Sequence, residues 1–379
     1  MQEKGPYLLL TLIFLLVINS FGQSKKSRKD SIRQEKISQG KLVFSQVGAP
    51  GYGPETGFLL GSASVFTFST SPADTAVTRS TIPLVAFISI TGSYGVKSYG
   101  VLEFKKKWRW MNNFEYTHMV DNYWGTGYED GSSLEQGEST TYYTRNHVKW
   151  DPKILNEVKS NLFLGIQTDL NYNKILQTNP VMDNEEAYLK YGDKVKSFGV
   201  GAVVQYDTRD MVVNAWKGIL FEVIYLTYPS VWATGDGYSI LNMDYRQFKT
   251  LGSGKGRVLA WNIRSKIGFG DIPYTELPAI GSGFDMRGYY AGQYRDQNSG
   301  ALMVEYRHTF KKQGELSKHG FVVWTAAGQV WDDKMEWSHT LPVIGTGYRF
   351  ALQHRINVRL DAGIGKDSSV FYFNITEAF

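Results

Sequence analysis

From Leu42 to the end of the chain, apolar residues alternate with polar or small ones in short segments separated by turn-like stretches. A period of two marks a strand with two unlike faces, and no stretch here carries the 3.6-residue repeat of an amphipathic helix. Around 162–169, Leu162, Leu164 and Ile166 oppose Asn161, Gly165, Gln167 and Asp169. Further on, Leu241, Met243 and Tyr245 oppose Asn242, Asp244 and Arg246, and Leu259, Trp261, Ile263 and Ile267 oppose Asn262, Arg264 and Lys266. Leu302, Val304 and Tyr306 oppose Glu305 and Arg307, while Ile356, Val358, Leu360, Ala362 and Ile364 oppose Asn357, Arg359 and Asp361. The pattern predicts about sixteen strands, an even number as in bacterial membrane barrels. Their centres fall near Phe44, Ser64, Phe87, Leu102, Phe114, Thr144, Leu164, Ala202, Val223, Met243, Trp261, Val304, Val323, Gly347, Val358 and Phe373.

Alternation fits a soluble sandwich as well as a membrane barrel, so the faces must decide. Trp108, Trp110, Trp150, Tyr228 and Phe379 read as aromatics near strand ends on the apolar face, which suits interfacial girdles. The other face carries charges of both signs and several glycines, which suits a wet lumen. The segments run to about ten residues, the length that crosses a bilayer at a tilt. Lipid offers backbone groups no water, so such strands must close into a cylinder. The expected fold is all-β, a transmembrane antiparallel β-barrel occupying residues 41–379, with no room for a separate soluble domain of ordinary size.

Ahead of the strands, Lys4 precedes an apolar run from Tyr7 to Ile18, followed by Ser20-Phe21-Gly22. That arrangement reads as a cleaved signal peptide over 1–22, and the run of about 12 residues is short for a membrane span. Residues 23–40 carry Lys25, Lys26, Arg28, Lys29, Arg33 and Lys36 without an apolar face. They read as a solvated basic periplasmic tether, or as an arm for anionic lipid or a partner. Export to the bacterial outer membrane follows from the two together.

Composition narrows the classes further. A mean hydropathy of −0.29 leaves no place for a bundle of membrane helices. The absence of cysteine excludes disulfides and thiolate metal sites. An aromatic content of 15% argues against a disordered chain, and a net charge of +5 is too mild to imply nucleic acid. Asp207, Arg209 and Asp210 read as a solvated turn, since no ordered base or nucleophile accompanies them. His118, His147, His308 and His354 share no metal-ligand spacing, and there is no phosphate-cradling glycine loop or nucleophile elbow. Lys105-Lys106-Lys107-Trp108 reads as a turn at the membrane rim, with long basic side chains reaching out beside an aromatic. No enzyme activity, metal, cofactor or nucleic-acid partner is expected.

The last third of the chain carries a more specific pattern. A strand ending near Gly270 leads into a long loop, 271–299, containing Gly281-Ser282-Gly283-Phe284-Asp285-Met286-Arg287-Gly288-Tyr289. A strand with Glu305-Tyr306-Arg307 follows, and the chain closes on Ser369-Val370-Phe371-Tyr372-Phe373-Asn374-Ile375-Thr376-Glu377-Ala378-Phe379. Gln205-Tyr206-Asp207-Thr208-Arg209-Asp210, Trp216-Lys217-Gly218 and Tyr52-Gly53-Pro54-Glu55-Thr56-Gly57 complete the set. Over residues 41–379 this resembles the bacterial surface antigen family, the barrel domain of the BamA/TamA and two-partner secretion transporter superfamily.

The resemblance implies a barrel of about sixteen strands. It also implies a long sixth outer loop folded toward the lumen and a role in inserting outer-membrane proteins or translocating polypeptides. It makes Arg287, Gly288 and Tyr289 a loop latch: glycine lets the backbone approach a wall, and arginine offers a planar fork to a carboxylate. The family's aromatic-x-Asp-x-Gly strand pattern is represented here by Trp324-Thr325-Ala326-Ala327-Gly328, with Ala326 in place of the acid. Glu305 is the first substitute partner for Arg287, and Asp361 the second. Phe371, Phe373, Ile375 and Phe379 read as a C-terminal strand signal recognised during assembly. Periplasmic polypeptide-transport-associated domains are expected to be lacking. Implied partners are outer-membrane lipid, client outer-membrane proteins, a larger assembly machine in which the barrel is an accessory subunit, or a second copy of the chain. The alternative is a passive channel or structural barrel without insertase activity.

Overall fold

The computed structural model describes residues 35–74, 77–252, 256–353 and 355–379, and its strands form one sheet that closes on itself. In chain order they are β1 (Val43–Gly53), β2 (Gly57–Phe68), β3 (Ser80–Ser89), β4 (Tyr94–Phe104) and β5 (Trp108–Asn122). Next come β6 (Tyr142–Trp150, resuming as Lys153–Lys159), β7 (Leu162–Gln177), β8 (Lys194–Asp207), β9 (Gly218–Pro229), β10 (Gly237–Thr250) and β11 (Arg257–Gly270). The last are β12 (Asn298–Lys312), β13 (Glu315–Trp331), β14 (Leu341–Gln353), β15 (Ile356–Ile364) and β16 (Ser369–Ile375). Each pairs antiparallel with its chain neighbour, and β16 returns to β1. The break in β6 falls at Asp151-Pro152, where proline has no N–H to give the ladder, yet both halves lie between β5 and β7. Every expected strand centre lies inside one of these sixteen strands.

The alternation sorts the faces. On β13, Val322 and Trp324 are buried while Val323 is 42% exposed; on β14, Val343 is buried while Ile344 is 66% exposed. Phe58, Leu60, Ile88, Ile166, Tyr225 and Ile263 are likewise exposed, a greasy exterior that suits lipid. Trp108, Trp110 and Trp150 belong to it, but Tyr228 and Phe379 do not. Tyr228 shares the inward parity of Ile224 and Leu226, stacks on Tyr238 at 4.3 Å and donates to Asp169 Oδ2 at 2.6 Å. Phe379 lies beyond β16. Thr376 adopts φ 77°, the chain turns inward, and the Phe379 ring packs beside Phe248 and Arg307.

With an even number of alternating strands, the start of β1 and the end of β16 share one rim, here the inner rim. Short connections mostly occupy it, and the long ones gather at the outer rim. There, segment 271–297 packs with α1 (Tyr128–Ser133), α2 (Pro180–Asn184) and α3 (Glu186–Tyr191). Gln293 Nε2 donates to Gly131 O at 3.0 Å, and Tyr191 Oη donates to Asp271 O at 3.3 Å. Among the described residues no helix is long and apolar enough to cross a membrane.

At the inner rim the connection 208–217 folds over the mouth rather than standing in solvent as a charged turn. Ala215 is buried, Arg355 Nη1 reaches Asp210 Oδ2 at 2.7 Å, and the Arg355 guanidinium lies 3.9 Å from the Trp216 ring centre. Arg209 meanwhile folds back on Asp207 at 2.8 Å. Between the two caps lies a chamber of about 600 Å³ lined by charges of both signs, including Lys149, Asp169, Glu222, Arg246, Lys266 and Glu276. The expected signal peptide, 1–22, and most of the expected tether fall outside the described residues. The last of the tether, 35–40, makes a helical turn whose Ile37 carbonyl accepts from Arg79 Nη1 at 3.1 Å.

Candidate functional site: the lumen loop and the barrel seam

The segment 271–297 leaves β11 and re-enters β12 after a two-residue ribbon, Ala279–Ile280 against Tyr294–Arg295. Its tip turns at Met286, which takes φ 45°, and this aims Arg287 at the inner wall. Arg287 is fully buried. Its Nη1 donates to Asp361 Oδ2 on β15 at 2.7 Å, and its Nη2 donates to Glu305 Oε2 on β12. The guanidinium lies 3.8 Å from the centre of the Trp324 ring on β13, a cation–π contact. Both acids proposed from the sequence therefore touch the same arginine. Ala326 points inward two residues past Trp324, and Glu305, the ladder partner of Trp324, supplies a carboxylate from the neighbouring strand.

These contacts continue along the wall. Glu305 also accepts from Arg307 Nε at 2.6 Å. Asp361 accepts from Arg349 Nη1 at 2.5 Å and Arg359 Nη1 at 2.8 Å. Arg349 Nε donates to Glu377 Oε2 at 2.8 Å, and Asn357 Nδ2 donates to Glu377 Oε1 at 2.6 Å. Four arginines thus interleave with three carboxylates. A charge removed from water needs such partners, and each acid here has more than one.

The wall is cut to receive the loop. A Cβ on Gly363 would stand 1.9 Å from the Arg287 carbonyl, and one on Gly345 would stand 2.1 Å from the Trp324 ring. Glycine inside a strand often marks such a close approach. Tyr289 is buried beside Arg287, and its Oη donates to Pro342 O at 2.8 Å and accepts from the Lys366 N–H at 2.9 Å. Gly288 lies against Val343. Deeper in the loop, Glu276 faces the chamber and accepts from Asn173 Nδ2 at 3.1 Å. Burial and the nearby Asp169 push its carboxyl up to about 7, against the pull of Lys149 and Arg145.

The seam lies beside this site. β1 and β2 share eleven ladder pairs, and β15 and β16 share seven. β1 and β16 share one, Tyr52 with Phe373. On β16, Phe371 is exposed, Phe373 and Ile375 are half-buried on the same side, and Phe379 is inside the lumen. The four aromatic and aliphatic residues assigned to one terminal signal therefore do not share a face. Arg349 and the wall glycines were not singled out from sequence, and Trp324 and Glu377 were named there only within longer stretches, without a part in the latch. The first could have been, because an arginine within a membrane strand must face the lumen.

Among the described residues no group of three or more His, Asp or Glu is placed to hold a metal. What the arrangement can do is dock a loop ionically beside a weakly paired seam.

No curated protein matches the chain. Among solved structures, BamA from Haemophilus ducreyi lacking POTRA domains 1–3 superposes with a TM-score of 0.60 at 13% identity, covering 93% of this chain and 78% of that one. CdiB from Acinetobacter baumannii gives 0.57 at 12% identity, covering 88% of this chain, and CdiB from Escherichia coli gives 0.58 at 11%, covering 87%. The chain spans 59% and 62% of those two structures. At such identities the likeness establishes the fold: a closed sixteen-stranded barrel of outer-membrane type. The Omp85 superfamily domain matches residues 87–379, most of the chain and all of its strands from the fourth onward. The protein therefore belongs to the Omp85 superfamily.

Proposed function

We propose that this barrel serves outer-membrane protein assembly by parting at its β1–β16 seam, as an accessory subunit of a larger machine. The observation that carries the reading is the single ladder pair between Tyr52 and Phe373. An unpaired strand edge is a template for another strand, and residues 43–51 of β1 have no ladder partner on the seam side. A client strand would add there by backbone hydrogen bonds, with no cofactor required. Both mouths of the lumen are covered, by 271–297 at one end and 208–217 at the other, which favours work at the wall over passage through the centre. In this reading Arg287, Gly288 and Tyr289 form the latch that keeps the loop docked, and Phe371, Phe373 and Ile375 belong to the edge recognised when the barrel itself is assembled. Signal-peptide export belongs to the same proposal; N-terminal sequencing of the mature chain tests it, with a start at Gln23 as the expected result.

The test is reconstitution. Liposomes containing the protein should fold an added, denatured outer-membrane barrel faster than empty liposomes, scored by its heat-modifiable gel mobility. No acceleration, together with a large steady conductance in planar bilayers, would assign the protein to the passive channels instead. Native co-purification of other barrel or periplasmic proteins supports the accessory role, and recovery of the chain bound only to itself supports a homo-oligomer.

A further inference from the structure

Residues 289–291 of the lumen loop touch both edges of the seam. On the β16 side, the buried Tyr372 Oη donates to the Tyr289 carbonyl at 3.0 Å. On the β1 side, the Ala291 N–H donates to Oε1 of Glu55 at 2.8 Å, and Glu55 sits in the tight turn that joins β1 to β2. Only Tyr290 separates the contact points, so one short piece of backbone holds both edges. That piece is itself fixed. Tyr290 stacks on the buried Trp124 at 5.8 Å, Tyr289 is bonded to Pro342 and Lys366, and Ser368 Oγ donates to the Gly288 carbonyl. The β1–β2 turn has further ties, both longer and neutral: Gln136 Nε2 donates to Pro54 O at 3.4 Å and Thr91 Oγ1 to Thr56 O at 3.3 Å. Across the seam itself the strands offer one ladder pair and the Tyr52–Phe371 ring contact at 5.8 Å, so the two loop bonds are a substantial share of what joins the edges.

We propose that the lumen loop is a staple across the seam, in which Glu55 fastens the β1 edge and Tyr372 the β16 edge, so that the wall parts only when the loop lets go of one of them. The inference rests on the seam reading above and adds its control. A bond to a carboxylate is charge-assisted and stronger than a neutral one, which makes Glu55 the stronger clasp. Arg287 enters indirectly: docked on Glu305 and Asp361, it holds residues 289–291 where both clasps can form.

The chain lacks cysteine, so a Leu60→Cys/Ile364→Cys pair on the lipid-facing sides of β2 and β15 can carry spin labels that span the seam. Pulsed electron spin resonance on the full-length barrel in liposomes then reads the population with a widened distance. Glu55→Ala and Tyr372→Phe should each raise that population by roughly tenfold, the effect of losing one such bond. Glu55→Gln keeps an acceptor oxygen but loses the charge assistance, so it should fall between the parent and Glu55→Ala. Added to Arg287→Ala, Glu55→Ala should give no further increase, because an undocked loop has already lost both clasps. Unchanged heat-modifiable mobility confirms an intact barrel. The staple is overturned if Glu55→Ala leaves the distances unchanged, if Glu55→Gln behaves like Glu55→Ala, or if the effects of Glu55→Ala and Arg287→Ala simply add. Unchanged distances in a barrel that still folds clients would remove the staple and keep the function. A seam that opens in these variants while no variant or parent folds clients would do the reverse.

Discussion

Replacing Arg287 with alanine should release the lumen loop. The side chain is fully buried and meets Asp361, Glu305 and the Trp324 ring at once. Breaking one side of a buried ion pair costs about 3–5 kcal/mol. The value here falls at the low end, because Glu305 keeps Arg307, and Asp361 keeps Arg349 and Arg359. Losing about 3 kcal/mol from the docked state shifts the docking equilibrium roughly a hundredfold toward the free loop. Apart from the single β1–β16 pair at the seam, the ladders of the barrel do not involve the loop, so the barrel should keep its heat-modifiable mobility. Two assays read the loop: chymotrypsin cleavage within 271–297, which carries Phe284, Tyr289, Tyr290 and Tyr294, and single-channel conductance, which should rise as the outer mouth clears. Arg287→Lys should recover little, since one ammonium cannot present a fork to two carboxylates and a flat face to an indole. A variant with parental conductance and a protease-resistant loop would show that the loop is held by something other than this arginine.

Gly363→Val should undock the same loop from the opposite side, because its Cβ would stand 1.9 Å from the Arg287 carbonyl; increased tryptic cleavage of 271–297 without loss of the folded gel form is the expected readout. Docking should also depend on pH through Glu276, whose carboxyl rises from 4.5 when free to about 7 when docked. A raised acid favours the docked form fully below pH 4.5 and loses that contribution as pH climbs through about 7, so conductance should be lower at pH 5 than at pH 8 and flatten in Glu276→Gln. At the inner mouth, Arg355→Ala should expose the buried connection, measured as faster maleimide labelling of Ala215→Cys than in the barrel that retains the Arg355–Asp210 pair.

Much of the fold was legible because lipid imposes a strict rule on a strand: one face greasy, the other free to be polar. β11, β12 and β15 obey it openly, with Asn262, Glu305 and Asp361 each flanked by apolar neighbours. β9 does not. Leu220, Ile224 and Leu226 point inward while Phe221 and Tyr225 point out, so only Glu222 marks the inner face by charge, and Tyr228 was assigned to the wrong one. Phe379 was misplaced because its direction depends on a left-handed turn at Thr376, a residue type that gives no warning of it. At the site, Arg287 and two acids stood out as charges that a membrane barrel must pair. The Trp324 platform, the glycine relief at Gly345 and Gly363, and the clasps at Glu55 and Tyr372 join residues far apart in sequence through a docked loop, and strand periodicity carries no information about such contacts.

Everything functional in this account turns on whether the wall parts between β1 and β16. Tyr52 and Phe373 are ladder partners, close enough in an antiparallel pair for a disulfide, so Tyr52→Cys/Phe373→Cys can lock the seam in a chain that has no other cysteine. The oxidised barrel in liposomes should lose its acceleration of client folding and regain it on reduction. An oxidised, fully cross-linked barrel that folds clients as fast as the reduced one would contradict the account.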